Sequence, residues 1–211
     1  MEREESRTDT QIRIRKAGYD DVDALKKVLA KTFDEDPIHK WCIAQDRKRT
    51  ARMEKHFETH VKHYAMKYDH VFTTEELDVV AVWFPPEPKD SWKSSTLKDL
   101  SLIHKWVAIT GFWKLLTTMS AIEFVKKRHL KRPHYYLSYI GVDPPFQGRG
   151  IGTDLLWHGL QMCRQRGLPA YLETSQERNV RYYERNGFTV SEEFFVPHDG
   201  PKIWTMIYEP K

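Results

Sequence analysis

The clearest candidate for chemistry in this sequence is the stretch QGRGIG at residues 147–152. Glycine allows a backbone to approach another group closely or to turn with positive φ, and here Gly148, Gly150 and Gly152 alternate with other residues. The stretch lies between a predicted strand and a predicted helix, so its backbone N–H groups stand at the positive end of the helix dipole. This pattern predicts an anion site, in which Arg149 either contacts the anion or lies in solvent.

The glycine spacing matches neither of the common nucleotide-binding motifs. A P-loop requires GxxxxGK[ST], which is absent from this stretch. The GxGxxG fingerprint fails because the third glycine comes one residue early and Thr153 occupies its place. The alternative for an isolated turn of this kind is a tight connection that packs a helix against a sheet.

Two motifs in order resemble those of the GNAT superfamily of acetyl-CoA-dependent N-acetyltransferases. The first is the pyrophosphate-binding pattern Q/R-x-x-G-x-G/A, filled by Gln147, Gly150 and Gly152. The second is the N-x-x-x-Y-x-x-x-G-F pattern, filled by Asn179, Tyr183, Gly187 and Phe188. Further stretches, among them AVWFPPE at 81–87 and the ending VPHDGPKIWTMIYEP, resemble puromycin N-acetyltransferases and their relatives.

This resemblance implies a mixed α/β sheet with splayed central parallel strands, flanking helices and a helical insertion. The pantetheine arm of acetyl-CoA would lie in the gap and pair with the main chain of Ile140 and Val142. Asn179 could instead cap a helix. The residues assigned to acetyl-CoA are Ile140, Gly141, Val142, Gln147, Gly148, Arg149, Gly150, Ile151, Gly152, Thr153, Asn179 and Tyr182.

Tyr183 is the leading catalytic candidate. When an amine attacks the thioester, the departing CoA thiolate needs a proton, which a phenol near the sulfur can supply. The adjacent Tyr182 would point about 100° away on a helix, so one of the two is expected to be structural. The family pattern selects Tyr183, and the alternative is an aromatic core residue.

The attacking amine must be neutral, so a base or a relayed water is also expected. Glu173 is the first choice because it lies at the C-terminal end of a predicted parallel strand, where α/β sites collect. The alternative is a carboxylate bonded to neighbouring backbone or hydroxyl groups. His134 and Ser138 are reserve candidates.

The acceptor pocket is expected against the first helices, as the resemblance implies. Phe33, Trp41 and Trp83 would enclose an apolar body, and Asp36 would attract an amine. Since the chain has 7 Trp and 10 Tyr, most of its aromatic residues are expected in the core instead.

The elements that must position these residues follow a pattern of alternating strands and helices. Strands are predicted for 134–142 and 170–175, helices for 150–166 and 178–186, and two final strands pair antiparallel. This order predicts a βαβ core with one parallel pair.

The first half of the chain predicts an amphipathic layer and an insertion. A strand at 11–17, a helix after it, a second helix within 46–66 and a hairpin ending at Pro85-Pro86 precede the insertion. The insertion, about 90–133 in one domain of 1–211, carries two helical patterns joined near 110 and 111. One apolar stripe contains Leu97, Leu100, His104 and Val107. The basic cluster at 126–134 favours a solvated helix end over a ligand site.

Composition and charge exclude several classes. The 34 Lys and Arg are interspersed with 30 Asp and Glu, which does not indicate nucleic-acid binding. Cys42 and Cys163 stand alone, which supports neither a disulfide scaffold nor a zinc site. No apolar run is long enough to cross a bilayer. We expect a cytoplasmic protein, monomeric or homodimeric, with no metal, nucleic acid or membrane partner.

Taken together, the residues predict an enzyme that passes acetyl from acetyl-CoA directly to an amine of a small molecule. A puromycin-like aminonucleoside, and hence antibiotic resistance, is the acceptor that the closer resemblance suggests. The alternatives are a peptide or protein N-acetyltransferase, which needs an open groove, and a non-catalytic acyl-CoA-binding module, which needs only the glycine loop.

Overall fold

A computed structural model describes residues 13–86 and 106–211 and contains a seven-stranded sheet in the order β1-β2-β3-β4-β5-β7-β6. Only the β4–β5 pair is parallel, so the predicted mixed α/β fold with one parallel pair is confirmed. The strands are β1 Ile14–Lys16, β2 Val71–Thr74, β3 Val79–Phe84, β4 Tyr135–Val142, β5 Ala170–Thr174, β6 Phe188–Phe195 and β7 Lys202–Tyr208.

The helices are α1 Val22–Thr32, α2 Pro37–Cys42, α3 Arg49–Glu58, α4 Phe112–His129, α5 Ile151–Arg166 and α6 Glu177–Arg185. The predicted helix within 46–66 corresponds to α3 and the π-helical turns Thr59–Ala65 that continue it. Residues 106–110 are helical and α4 follows after Gly111, as the predicted junction requires. The stripe residues Leu97, Leu100 and His104 lie outside the described residues.

β4 and β5 separate soon after they meet. Their paired residues are Tyr135 with Ala170 and Tyr136 with Tyr171, and the remainder of the two strands diverges. The predicted splay is therefore confirmed. A gap of this kind leaves backbone polar groups that need another partner, because buried N–H and C=O groups are almost always hydrogen-bonded.

Two apolar layers cover the two faces of the sheet. On one face α5 and α6 bury residues such as Leu155, Leu160 and Phe188, and this group is called the α5 layer. On the other face α1 and α3 bury Leu29 and Phe57 among others. The site must therefore lie where the splay opens a passage between these layers.

Trp83 belongs to the α5 layer and was wrongly predicted to line the acceptor pocket. Its side chain is fully buried, and a Cβ atom added at Gly159 of α5 would lie 2.2 Å from its ring atom Cε2. Alternation along β3 sends Trp83 to this face of the sheet, and only a glycine lets the helix approach so closely.

Both cysteines are free thiols, with Cys163 buried and Cys42 partly buried, as expected. Within the two described stretches, no helix is long and apolar enough to span a bilayer.

Candidate active site

The glycine loop precedes α5, where Gly148 and Gly150 have φ values of +79° and +88°. Cβ atoms added at these positions would meet nothing within 4 Å. Among the described residues, none accepts a hydrogen bond from the backbone N–H groups of residues 148–152. Unpaired N–H groups at the start of a long helix form a site for an anion such as a pyrophosphate.

Side chains of the loop hold its conformation and attach it to the end of β4. Gln147 Nε2 donates to the Val142 carbonyl at 3.0 Å, which ties the loop to the end of β4. Arg149 donates back to the Pro145 carbonyl at 3.2 Å and lies over the Phe146 ring. Arg149 is exposed, so its guanidinium remains within reach of solvent and of a ligand phosphate.

The start of α5 is held by packing. Ile151 packs against the α5 layer, and a Cβ atom at Gly152 would lie 3.0 Å from Val142. The Thr153 side chain lies near the Tyr182 phenol of α6 and acts to lower its pKa, which burial raises. These contacts keep the helix N-terminus close to the end of β4.

The β4 edge offers fewer free groups than the sequence suggests. The Val142 carbonyl accepts a hydrogen bond from Gln147 Nε2 at 3.0 Å. Thr32 Oγ1 lies 3.0 Å from the same carbonyl, but its single proton can go instead to the Val28 carbonyl at 2.8 Å. Gly141 is buried against α1, where an added Cβ atom would lie 3.1 Å from Thr32 Oγ1. One lone pair of the Val142 oxygen is therefore taken by Gln147, and the second is open to a pantetheine amide when Thr32 donates to Val28.

Beyond the gap lies a cavity of about 470 Å³. Its walls come from Phe33 and α2, from α3 and the π-helical turns after it, from residues 106–126, from β4 and β5, and from α6. The side chains are largely apolar or aromatic, and they include Phe33, Tyr64, Tyr68, Phe84, Trp106, Met119, Ile122 and Tyr139. A volume of this size is typical of sites for small organic molecules.

Tyr183 and Asn179 of α6 border this cavity. Tyr183 is 7% exposed, and burial is the main cause that raises the pKa of its phenol, with Tyr182 and Asp36 adding to the increase. Asn179 Nδ2 lies 3.5 Å from Thr174 Oγ1 at the end of β5. Tyr182 packs against the same apolar core to which Tyr183 belongs, and the two ring centroids lie 5.2 Å apart. Tyr183 borders the cavity and Tyr182 is not among the residues that line it, and the division of roles between the two tyrosines stays a prediction.

Glu173 lies in another part of the cavity. Burial raises the pKa of its carboxyl group, and the charge of Lys126 opposes this increase. Lys126 of α4 lies 4.8 Å from the centroid of the Tyr136 ring and 5.6 Å from that of Tyr171. Oε1 of Glu173 is shielded from solvent and makes no well-formed hydrogen bond to a described residue, although the phenols of Tyr136 and Tyr171 lie close enough to stabilise its charge.

Asp36 lies at the N-terminus of α2 and is buried. Its Oδ1 accepts the backbone N–H groups of Ile38 and His39 and contacts His39 Nδ1 at 2.8 Å. Its Oδ2 accepts a hydrogen bond from Ser175 Oγ at 2.6 Å. Asp36 was predicted to attract an amine directly, but its oxygens are already occupied by these partners.

Three histidines in the cavity wall were missed by the sequence analysis. The His39 ring lies 5.4 Å from the Phe33 ring in a tilted arrangement, His56 Nε2 lies 3.2 Å from the Tyr139 hydroxyl, and His60 Nε2 lies 3.0 Å from Ser138 Oγ. Burial, aided by the charge of His39, lowers the pKa of His60 to about 3. The spacing of four between His56 and His60 places both on one face of a helix, and this signal was available in the sequence.

The remaining predicted residues divide between the cavity and the rest of the molecule. Phe33, His134, Ser138 and Ile140 line the cavity. Trp41 does not, because Lys114 of α4 lies over its ring at 5.1 Å and donates to its carbonyl. The described part of the chain contains no group of three or more His, Cys, Asp or Glu side chains arranged to hold a metal.

The geometry therefore combines an anion site, a gap between two strands and a cavity with a phenol at its border. Such an arrangement can hold a long phosphorylated ligand with one end inside the molecule. It can also present a second, compact molecule to that end.

Some relatives match short parts of the chain. An uncharacterized N-acetyltransferase of Schizosaccharomyces pombe is 37% identical over 79 residues, 36% of this chain and 32% of that protein. The mycothiol acetyltransferase of Propionibacterium freudenreichii subsp. shermanii is 44% identical over 62 residues, 28% of this chain and 20% of that protein. The chain thus spans a third or less of the length of these relatives.

Solved structures share the whole fold. A structure described as histone acetyltransferase HPA2 and related acetyltransferase from Corynebacterium glutamicum superposes with a TM-score of 0.72 and 24% identity, covering 95% of this chain and 97% of that one. The polyamine N-acetyltransferase of Drosophila melanogaster gives 0.67 and 17%, covering 94% and 99%. Residues 78–188, which include the splayed strands, the glycine loop and α6, match the acetyltransferase (GNAT) family, and the protein is a member of that family.

Proposed function

We propose that the protein transfers the acetyl group of acetyl-CoA to an amine of a small molecule by direct attack. The observation that carries this proposal is the position of Tyr183 at the border of the cavity, on the helix whose Tyr182 lies near Thr153 at the start of α5. A phenol at that point can act on a thioester whose phosphates are held at the loop. Membership in the acetyltransferase family supports the same reaction.

The residues that fit acetyl-CoA are those of the loop and the gap. Free N–H groups of residues 148–152 would hold the pyrophosphate, with Arg149 as an additional cation. Asn179 and the main chain around Ile140 would contact the pantetheine arm. Bound in this way, acetyl-CoA supplies the activated acetyl group.

In this proposal the side chains of the protein donate and accept the protons of the reaction. Tyr183 donates its phenol proton to the sulfur as the C–S bond breaks, and burial keeps that phenol protonated well above neutral pH. A second group must accept a proton from the amine nitrogen. Glu173, the base favoured by the sequence, and the Asp36–His39 pair both border the cavity.

The acceptor is a compact amine with an apolar or aromatic body. Aromatic side chains dominate the walls, and α4 together with Trp106 covers the cavity. A puromycin-like aminonucleoside has this character and remains the specific acceptor that we propose to test first. A compact amine is preferred over a peptide in this proposal because a cavity of about 470 Å³ suits a small organic molecule.

A panel of acceptors tests this proposal. CoA thiol release from acetyl-CoA is measured with aminonucleosides, arylalkylamines, polyamines, amino acids and peptides at equal concentration. We expect release with at least one compact amine and little release with peptides. A protein that binds acetyl-CoA but releases no CoA with any of them is an acyl-CoA-binding module, and preference for peptides would contradict the compact acceptor.

A further inference from the structure

We infer that His39, held by Asp36, is the group that accepts the proton of the attacking amine. This inference rests on the proposed function and assigns a role that neither the sequence motifs nor the family match gives to α2. It replaces Glu173 as the base.

The first step is the fixed orientation of the imidazole. Asp36 is anchored at the start of α2 by the N–H groups of Ile38 and His39, so its carboxylate cannot turn away. Burial acts to raise the pKa of Asp36, but hydrogen bonds from His39 and Ser175 outweigh it, and the pKa is lowered. A carboxylate at 2.8 Å from Nδ1 accepts a hydrogen bond from an N–H group at that nitrogen. Nδ1 therefore carries the hydrogen, and Nε2 is left with a lone pair.

The second step is the access of Nε2 to the cavity. His39 is 6% exposed and forms part of the cavity wall. No described residue makes a hydrogen bond to Nε2, whereas the Nε2 atoms of His56 and His60 are already engaged with Tyr139 and Ser138. Of the three histidines, His39 alone thus combines a carboxylate partner with a free basic nitrogen.

The third step is the surroundings of the ring. The groups that face His39 are Asp36 on its own helix, His56 of α3 with ring centroids 5.3 Å apart, and His60. Tyr139 of β4 lies 6.1 Å away, and Arg49 of α3 donates to the His39 carbonyl. Asp36 and Arg49 are the charged groups in this set, and only Asp36 contacts the ring. The carboxylate can therefore stabilise an imidazolium that forms there.

The fourth step is the relation to Tyr183. The charge of Asp36 contributes to the raised pKa of that phenol, and Ser175 links Asp36 to the strand that leads into α6. The pair and the phenol thus border the same region of the cavity. Glu173 is less suited because the charge of Lys126 and the phenols of Tyr136 and Tyr171 stabilise its carboxylate and so oppose its uptake of a proton.

The proton balance is complete with these groups. The ammonium form of the acceptor gives one proton to His39 Nε2, which passes it to solvent. The neutral nitrogen attacks the carbonyl carbon, a C–N bond forms and the C–S bond breaks. The thiolate takes the proton of Tyr183, and the second proton of the nitrogen returns through His39 and cavity water to the phenolate. Each turnover releases the acetylated amine, CoA and one proton.

The test compares His39→Gln with Glu173→Gln and with His158→Gln, a histidine on α5 outside the cavity wall that lies against the Phe72 ring. Folding is checked by circular dichroism and acetyl-CoA affinity by calorimetry. For His39→Gln we expect kcat to fall by roughly 10²- to 10⁴-fold with acetyl-CoA affinity kept, and the acidic limb of the kcat/KM profile to disappear. Imidazole added to His39→Ala is expected to restore activity in proportion to its unprotonated form.

Three results would overturn the inference. The first is a His39→Gln variant with the parent pH profile, and the second is loss of the acidic limb in Glu173→Gln alone. The third is the failure of His39→Ala to respond to imidazole. If the parent protein releases no CoA with any amine, the proposed function fails and this inference fails with it.

Discussion

Asp36 and Ser175 are joined by a hydrogen bond of 2.6 Å that links the N-terminus of α2 to the end of β5. The contact connects parts of the chain that lie on opposite sides of the splayed gap. It also brings α2 close to the strand that leads into α6. The reaction site that we propose depends on this connection, because it holds the Asp36–His39 pair beside Tyr183.

Removal of the Ser175 hydroxyl is expected to weaken this connection. A hydrogen bond to a charged group contributes about 1.5–3 kcal/mol, so Ser175→Ala should lower the free energy of unfolding by that amount. Asp36→Ala should lose this bond and the helix cap, whereas Asp36→Asn keeps a good cap residue. Urea unfolding of Ser175→Ala, Asp36→Ala and the variant that carries both changes measures the coupling between the two residues. Strictly additive losses would show that the contact does not link the two elements.

The glycine loop is expected to be required for acetyl-CoA binding, and Gly150→Val tests it. Gly150 and Gly167 lie at the two ends of α5, both with positive φ and with open space where a Cβ atom would lie. Valine should therefore cost similar stability at either position, since both changes force a side chain into the left-handed region. We expect calorimetry to show loss of acetyl-CoA binding for Gly150→Val alone. Equal affinities in the two folded variants would place the pyrophosphate elsewhere.

Tyr183→Phe is expected to lower kcat by roughly 10²- to 10⁴-fold while acetyl-CoA affinity is kept. The substitution keeps the ring packing and deletes the proton donor. Because burial raises the pKa of this phenol, the alkaline decline in kcat should lie above pH 10, the ordinary value for tyrosine. Tyr182→Phe is the matched control, because the Tyr182 ring contacts Tyr183 but is not among the residues that line the cavity. Equal kcat values for both variants would mean that another group protonates the thiolate.

The sheet could be predicted from the sequence, and so could the part of the site formed by the glycine loop and α6. Strand alternation, the glycine loop and the spacing from Asn179 to Tyr183 are patterns of residues close together in the chain, so they can be read without knowledge of tertiary contacts. Trp83 shows what they cannot provide. Its β-strand position was visible, but the sequence does not tell which layer covers its face, because the close approach of α5 at Gly159 is a contact between residues far apart in the chain.

The acceptor side was harder to predict for the same reason. The packing of α2 against the end of β5 brings together His39, Asp36 and Ser175. No pattern in the sequence of α2 predicts this contact. Lys126 is a similar case, because its basic cluster resembles a solvated helix end. In the structure its ammonium group lies over the Tyr136 and Tyr171 rings.

Mild acid is expected to destabilise the protein through its buried histidines. Burial lowers the pKa of His56 well below 6.5 and that of His60 to about 3. The unfolded chain therefore binds more protons than the folded one below pH 6.5. The contribution of these histidines to the free energy of unfolding is fully present above that pH and is lost as the pH falls toward 3. Each histidine should contribute a slope that approaches about 1.4 kcal/mol per pH unit.

Urea unfolding between pH 7 and pH 5 measures this slope. His134 and His158 also have lowered pKa values and add to it, so the comparison is made with His60→Gln. The variant should show a smaller slope than the parent protein. Identical slopes would mean that His60 is not held neutral in the folded state.

The central claim is that acetyl passes directly from acetyl-CoA to a compact amine in this cavity. The most direct measurement follows free CoA and N-acetylated acceptor together by mass spectrometry in a quenched single turnover. We predict that the two appear at the same rate and in equal amounts, with no acetylated protein at any time. CoA release without acetylated amine, or an acetyl-enzyme that forms and decays before the product, would contradict the claim.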